Sequence, residues 1–168
     1  MKILFVFMDG VGLGENNPDI NPFIRARMPN LENLLDGQKI SNNGDPRPSK
    51  LAIFQNGRAS LLSLDACLGI DGLPQSASGQ ASLLTGKNVA GMLGMHDGPK
   101  PSPQVMDILK DGTLFQHFHH NGLGAALLNA YPPRYFKSIE RGYRLPGVIA
   151  LSALYAGLRL KTGRSKPW

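Results

Sequence analysis

A chain of 168 residues that is 42% apolar and 18% charged falls within the range of one globular domain with a real core, and it carries neither an internal repeat nor a low-complexity segment. Its single cysteine, Cys67, excludes an internal disulfide and fits a reducing, cytoplasmic compartment. The net charge of +6 is confined to one end: residues 1–133 hold ten Lys/Arg against eleven Asp/Glu, and residues 134–168 hold eight against one. That excess is not interleaved with a stacking platform, which argues against nucleic acid as a partner.

In chain order, "KILFVFMDG" is a continuous apolar run closed by Asp-Gly, the pattern of a strand buried on both faces of a parallel sheet. The run from Ile3 to Met8 is too short for the hydrophobic region of a signal peptide, so no targeting signal is expected. "MPNLENLLDG" predicts a helix with Leu31, Leu34 and Leu35 on one face and a stop at Gly37. Residues 41–50, rich in Pro and Gly, predict a surface loop. "ASLLSLDACLGI" resumes strand character, with a candidate strand over residues 59–66. "LPQSASGQASLLTGKN" then predicts a loop and a helix. "TLFQHFHHNG" and "PPRYFKSIERG" predict helices flanking a short apolar strand, "LGAALLNA". In "LPGVIALSALYAGLRL" the fourteen uncharged residues Leu145 to Leu158 are too few to span a bilayer, so a core helix is expected and membrane association is not. The alternation predicts an α/β fold in a single domain over residues 1–168.

In open α/β sheets, ligands bind beyond the carboxyl ends of the strands, which puts Asp9 and the serine loop on a shared functional edge. Ser76 or Ser78 can accept hydrogen bonds from the first helical turn as a cap. The same N–H groups and the positive helix end also form an anion site, where a hydroxyl would face a phosphate. Cap and nucleophile therefore both remain open for Ser76, and turn residue and metal ligand both remain open for Asp9. Lys87 and Asn88 are candidate phosphate or substrate contacts, or ordinary surface-loop residues. His96, in a Gly/Pro-rich loop, is a candidate substrate contact or a solvated side chain. Asp65 is a candidate support for the serine loop. His117, His119 and His120 are read as dipole partners at a helix end in preference to metal ligands.

"FVFMDGVGLG" followed by "LPQSASGQASLLTG" resembles the N-terminal part of the metalloenzyme branch of the alkaline phosphatase superfamily, which includes cofactor-independent phosphoglycerate mutases and phosphopentomutases. The resemblance extends from Met1 to about Gly98. It implies a three-layer α/β/α fold with a mostly parallel sheet, and phosphoryl transfer or phosphate-ester hydrolysis on a phosphorylated small molecule through a phosphoserine. It also implies divalent Mn, Zn or Mg held by Asp9 and the nucleophile. In the family the nucleophile lies ten residues before a Gly, which is the spacing of Ser76 and Gly86. Asp9 and Ser76 are thus the implied metal ligands, and Ser76 the implied catalytic residue. The family's remaining Asp and His ligands belong to a C-terminal half, yet this chain has no Asp-His dipeptide and only Asp107, Asp111 and Glu140 as acids after Gly98. Two oxygen donors leave most of a coordination sphere empty. The chain therefore reads as the front portion of a larger enzyme, in which the apolar helix over 145–158 awaits cover from a complementing fragment or from self-association, or as an inactive remnant of one.

Overall fold

A computed structural model describes residues 2–42 and 52–163. Their architecture is mixed α/β, with helices and two separate two-stranded sheets. The chain divides into two compact units, residues 1–65 and 66–168. Most of the loop expected at 41–50 lies outside the described residues.

In the first unit, Ile3 to Met8 does not form the expected buried strand. The run has no regular secondary structure, and Ile3, Leu4, Phe5, Val6 and Met8 are all exposed. A strand buried on both faces needs neighbours for its backbone N–H and C=O groups as well as for its side chains. Among the described residues this run has no strand partner. Asp9 and Gly10 form a turn, with Gly10 at φ 72°.

Helix α1 (Pro22–Arg25) is a single turn capped by Asn21, whose side-chain oxygen accepts from the Phe23 N–H at 3.0 Å. Helix α2 (Pro29–Leu34) starts on a proline, as expected, and ends in a left-handed turn at Asp36 (φ 50°) and Gly37 (φ 86°). Leu35 is buried while Leu34 is largely exposed, so the apolar face is narrower than the leucine spacing suggested. Strands β1 (Ala52–Gln55) and β2 (Ser60–Leu62) form an antiparallel hairpin, so only the first part of the candidate strand at 59–66 is a strand. Asn56 shapes the hairpin turn by accepting from the N–H groups of Arg58 (2.8 Å) and Ala59 (2.7 Å).

The hairpin turn is clamped to the end of α2. The Asn56 amide donates to the Leu34 carbonyl (3.2 Å) and to the Asp36 carboxylate (2.8 Å), and Arg58 donates to the Asn33 carbonyl (2.7 Å) and to Asp36 (3.1 Å). The Asn56 bond, with Arg58 adding and desolvation opposing, holds the Asp36 carboxyl below its ordinary value of 3.8. A carboxyl with a depressed folded pKa stabilises above its ordinary value and loses that contribution as pH falls through the folded one. On acidification the amide resonances of Asn56 and Arg58 are expected to shift with a midpoint below 3.8. A midpoint at the ordinary carboxylate value would show that the clamp does not form.

In the second unit the helices pack around α3 (Ser76–Thr85), which touches α4 (Val89–Leu93), α5 (Pro103–Lys110), α6 (Leu114–His120) and α8 (Val148–Tyr155). Its buried residues, Ala77, Ser78, Ala81 and Leu84, share one face. Three of them are small, which lets the neighbouring helices approach closely. The helix stops at Gly86, whose φ of 71° suits a residue without a Cβ. Around it Val89, Val105, Ile108, Leu109, Val148 and Leu151 complete one core. Each such side chain contributes about 1.5–3 kcal/mol on full burial.

Helices α4, α5 and α6 are capped by the side chains of Asn88, Ser102 and Thr113. Helix α7 (Pro133–Glu140) starts on Pro133 and is amphipathic, with Tyr135 buried. Of the expected strand "LGAALLNA" only the last residue pairs, in β3 (Ala130–Tyr131), which runs parallel to β4 (Lys161–Thr162). Helix α8 falls within the expected core helix, but it is not left uncovered. Val148, Ala150, Leu151, Ser152 and Ala153 are buried within this unit, because the small faces of α3 and the apolar faces of α5 and α6 receive them. Among the described residues no helix is long and apolar enough to cross a membrane.

Candidate active site

The entry to α3 separates the three serines of the motif. Ser76 is the first helical residue and is partly exposed; the cap position belongs to Gln75, whose side chain makes no capping bond. Ser78 is buried, and its hydroxyl oxygen accepts from the Asp97 N–H (3.1 Å) while lying 3.4 Å from the carbonyls of Gln75 and Asp97. Ser82 donates to the Ser78 carbonyl (2.9 Å) and accepts from the Val89 N–H (3.1 Å), tying α3 to α4. Ser78 and Ser82 thus hold the helix and its surroundings, and Ser76 lies on the outer first turn.

The start of α3 is partly covered by the segment around Asp97 and Gly98. The Ser78 N–H donates to the Asp97 carbonyl at 2.9 Å, so one first-turn donor of the expected anion site already has a protein partner. The Asp97 carboxylate turns the other way and accepts from the Ser102 N–H (2.8 Å) at the cap of α5. Gly98 lies so close that a Cβ there would sit 2.9 Å from the Gln75 Cβ, 3.1 Å from the Ser76 nitrogen and 3.3 Å from the Ala77 nitrogen. Ser102-Pro103 was the sequence signal for this arrangement: a capping serine before a proline, with Val105, Ile108 and Leu109 spaced along one helix face.

The other candidates mostly hold backbone. Lys87 pairs with Asp111 at 3.2 Å across the surface. The Asn88 oxygen accepts from the Gly91 N–H (2.8 Å) to cap α4, and its amide donates to the Leu68 carbonyl (2.9 Å). His96 Nε2 lies 3.1 Å from the Ile70 carbonyl, a geometry that requires this nitrogen to carry the proton. Asn88 and His96 together pin the turn leading toward α3, in which Leu68 adopts a left-handed φ of 55°. His117, His119 and His120 are exposed at the end of α6. Asp9 and Asp65 are exposed and belong to the first unit, while Ser76 belongs to the second.

Among the described residues no three His, Cys, Asp or Glu side chains converge as a metal site would require. Asp9 and Ser76 supply oxygen donors of the right kind, but a divalent ion takes about four to eight ligands. The donor set does not fit a complete site. No family model, curated protein or solved structure matches the chain.

Proposed function

We propose that the chain is a portion of a metal-dependent phosphoryl-transfer enzyme of the alkaline phosphatase superfamily, built on a three-layer α/β/α plan whose mostly parallel sheet is incomplete here, with Ser76 as its nucleophile. The observation that carries this reading is the place of Ser76, the first residue of α3, on the partly exposed first turn of a helix that starts eleven residues after Asp65 and stops at Gly86. Phosphoryl transfer would form a bond from Ser76 Oγ to phosphorus as the ester P–O bond breaks. The hydroxyl proton is given up to solvent, and the departing alkoxide takes one up. The phosphoserine then passes its phosphoryl group to water or to a second hydroxyl.

A second reading, an inactive subunit that needs a separate C-terminal half, is favoured by the sparse donor set and by the structural use of Lys87 and Asn88. Peptide-level mass analysis after incubation with a chromogenic phosphate ester and Mn separates the two. Phosphate on the Ser76 peptide, with turnover falling by at least about a hundredfold in Ser76→Ala and far less in Ser78→Ala, supports the first reading. No phosphorylation and no turnover supports the second. Equal turnover in wild type and Ser76→Ala overturns the nucleophile assignment.

A further inference from the structure

The second unit has an open hollow of about 220 Å³, lined among others by Gln80, Lys100, Asn129, Tyr131, Tyr135 and Arg144. Two cations, one from the loop before α5 and one from the loop before α8, face the same small space. Among the described residues neither lies within ion-pair distance of a carboxylate. Like charges so placed repel, and an anion between them relieves the repulsion. Burial and the neighbouring Arg144 hold the Lys100 ammonium below the usual lysine range, in keeping with that crowding.

The hollow is also shaped in advance. The Arg144 guanidinium lies 5.0 Å from the centre of the Tyr135 ring, and Tyr135, itself buried, stacks on Tyr131 at 4.4 Å. A guanidinium held over an aromatic face keeps its N–H edge available for an oxyanion. Asn129 and, from α3, Gln80 add side-chain amides to the lining. The volume is below the roughly 300–1,000 Å³ of pockets that hold whole drug-sized ligands, and so suits a single tetrahedral group.

We propose that this hollow is a binding site for a phosphate-sized oxyanion, held between Lys100 and Arg144. The site does not depend on Ser76, which lies one helical turn before Gln80 on α3. Titration of the whole chain with inorganic phosphate at low ionic strength, followed by amide shifts and calorimetry, tests it. Saturable binding is expected, with shifts at Lys100, Asn129 and Tyr131. Arg144→Gln and Lys100→Gln should each weaken it by about tenfold or more, the scale of one lost charge-assisted hydrogen bond. Ser76→Ala should leave it unchanged. Tighter binding of methyl phosphate than of inorganic phosphate would identify the anion as the ester group of a small molecule, and equal binding of phosphate and sulfate would identify it as a free oxyanion. Absence of saturable shifts, or binding unchanged in both charge variants, overturns the proposal. Lys100→Gln, at a residue outside the Arg144–Tyr135–Tyr131 stack, keeps the test open should Arg144→Gln disturb that stack.

Discussion

Leu109→Ala is expected to cost the second unit about 2–5 kcal/mol, a large part of the roughly 5–15 kcal/mol that holds an ordinary domain together. Leu109 is 0% exposed and sits in the core shared by α3, α5 and α8. Truncation there removes the transfer free energy of the lost atoms and leaves a cavity, and the packed helices around it can close only in part. Urea unfolding of the variant should show a lower midpoint at an unchanged slope. Leu109→Met conserves volume and should cost less than about 1.5 kcal/mol, which controls against a variant too unstable to measure. Leu154→Ala, at a position 39% exposed on α8, should cost much less than Leu109→Ala. Equal losses at the two positions would contradict the core described here.

Gly98→Ala is expected to be the most damaging glycine substitution in the second unit. The new methyl would meet the Cβ of Gln75 and the backbone nitrogens of Ser76 and Ala77, none of which is the far end of a flexible side chain. The segment must therefore move away from α3 and stretch the bond between the Ser78 N–H and the Asp97 carbonyl. Overpacking of this kind costs about 1–3 kcal/mol. Gly79→Ala serves as the comparison, because a Cβ there meets nothing within 4 Å and alanine favours the helix. A Gly98→Ala protein as stable as wild type would mean that the segment is not seated on the helix start.

How much of this was legible in the sequence depends on whether a residue's role is local. Helices α2, α7 and α8 follow from prolines at or before their starts and from apolar spacing, and α3 follows from the serine-rich entry and the stop at Gly86. The fate of Ile3–Met8 was not legible, because apolarity says what a run would bury and does not supply the strand it must pair with. The separate duties of Ser76, Ser78 and Ser82 were open for a related reason: Ser78 is defined by Asp97, which is distant in the chain. Lys87 and Asn88 read as ligand contacts only until Asp111 and Leu68 take their side chains. The hollow at Lys100 and Arg144 is assembled from α3, β3, α7, α8 and several loops, and no single stretch of sequence carries its pattern.

Asp97 meets two helix starts at once: its backbone exchanges hydrogen bonds with Ser78 at the head of α3, and its carboxylate receives the Ser102 N–H at the cap of α5. A fluctuation that lifts this residue releases both heads together, so the two first turns breathe as one cooperative unit. A ligand arriving at the amide groups near Ser76 would then compete with a carbonyl already seated there, and its binding would be felt at the far end of the same residue, in the fraying of α5.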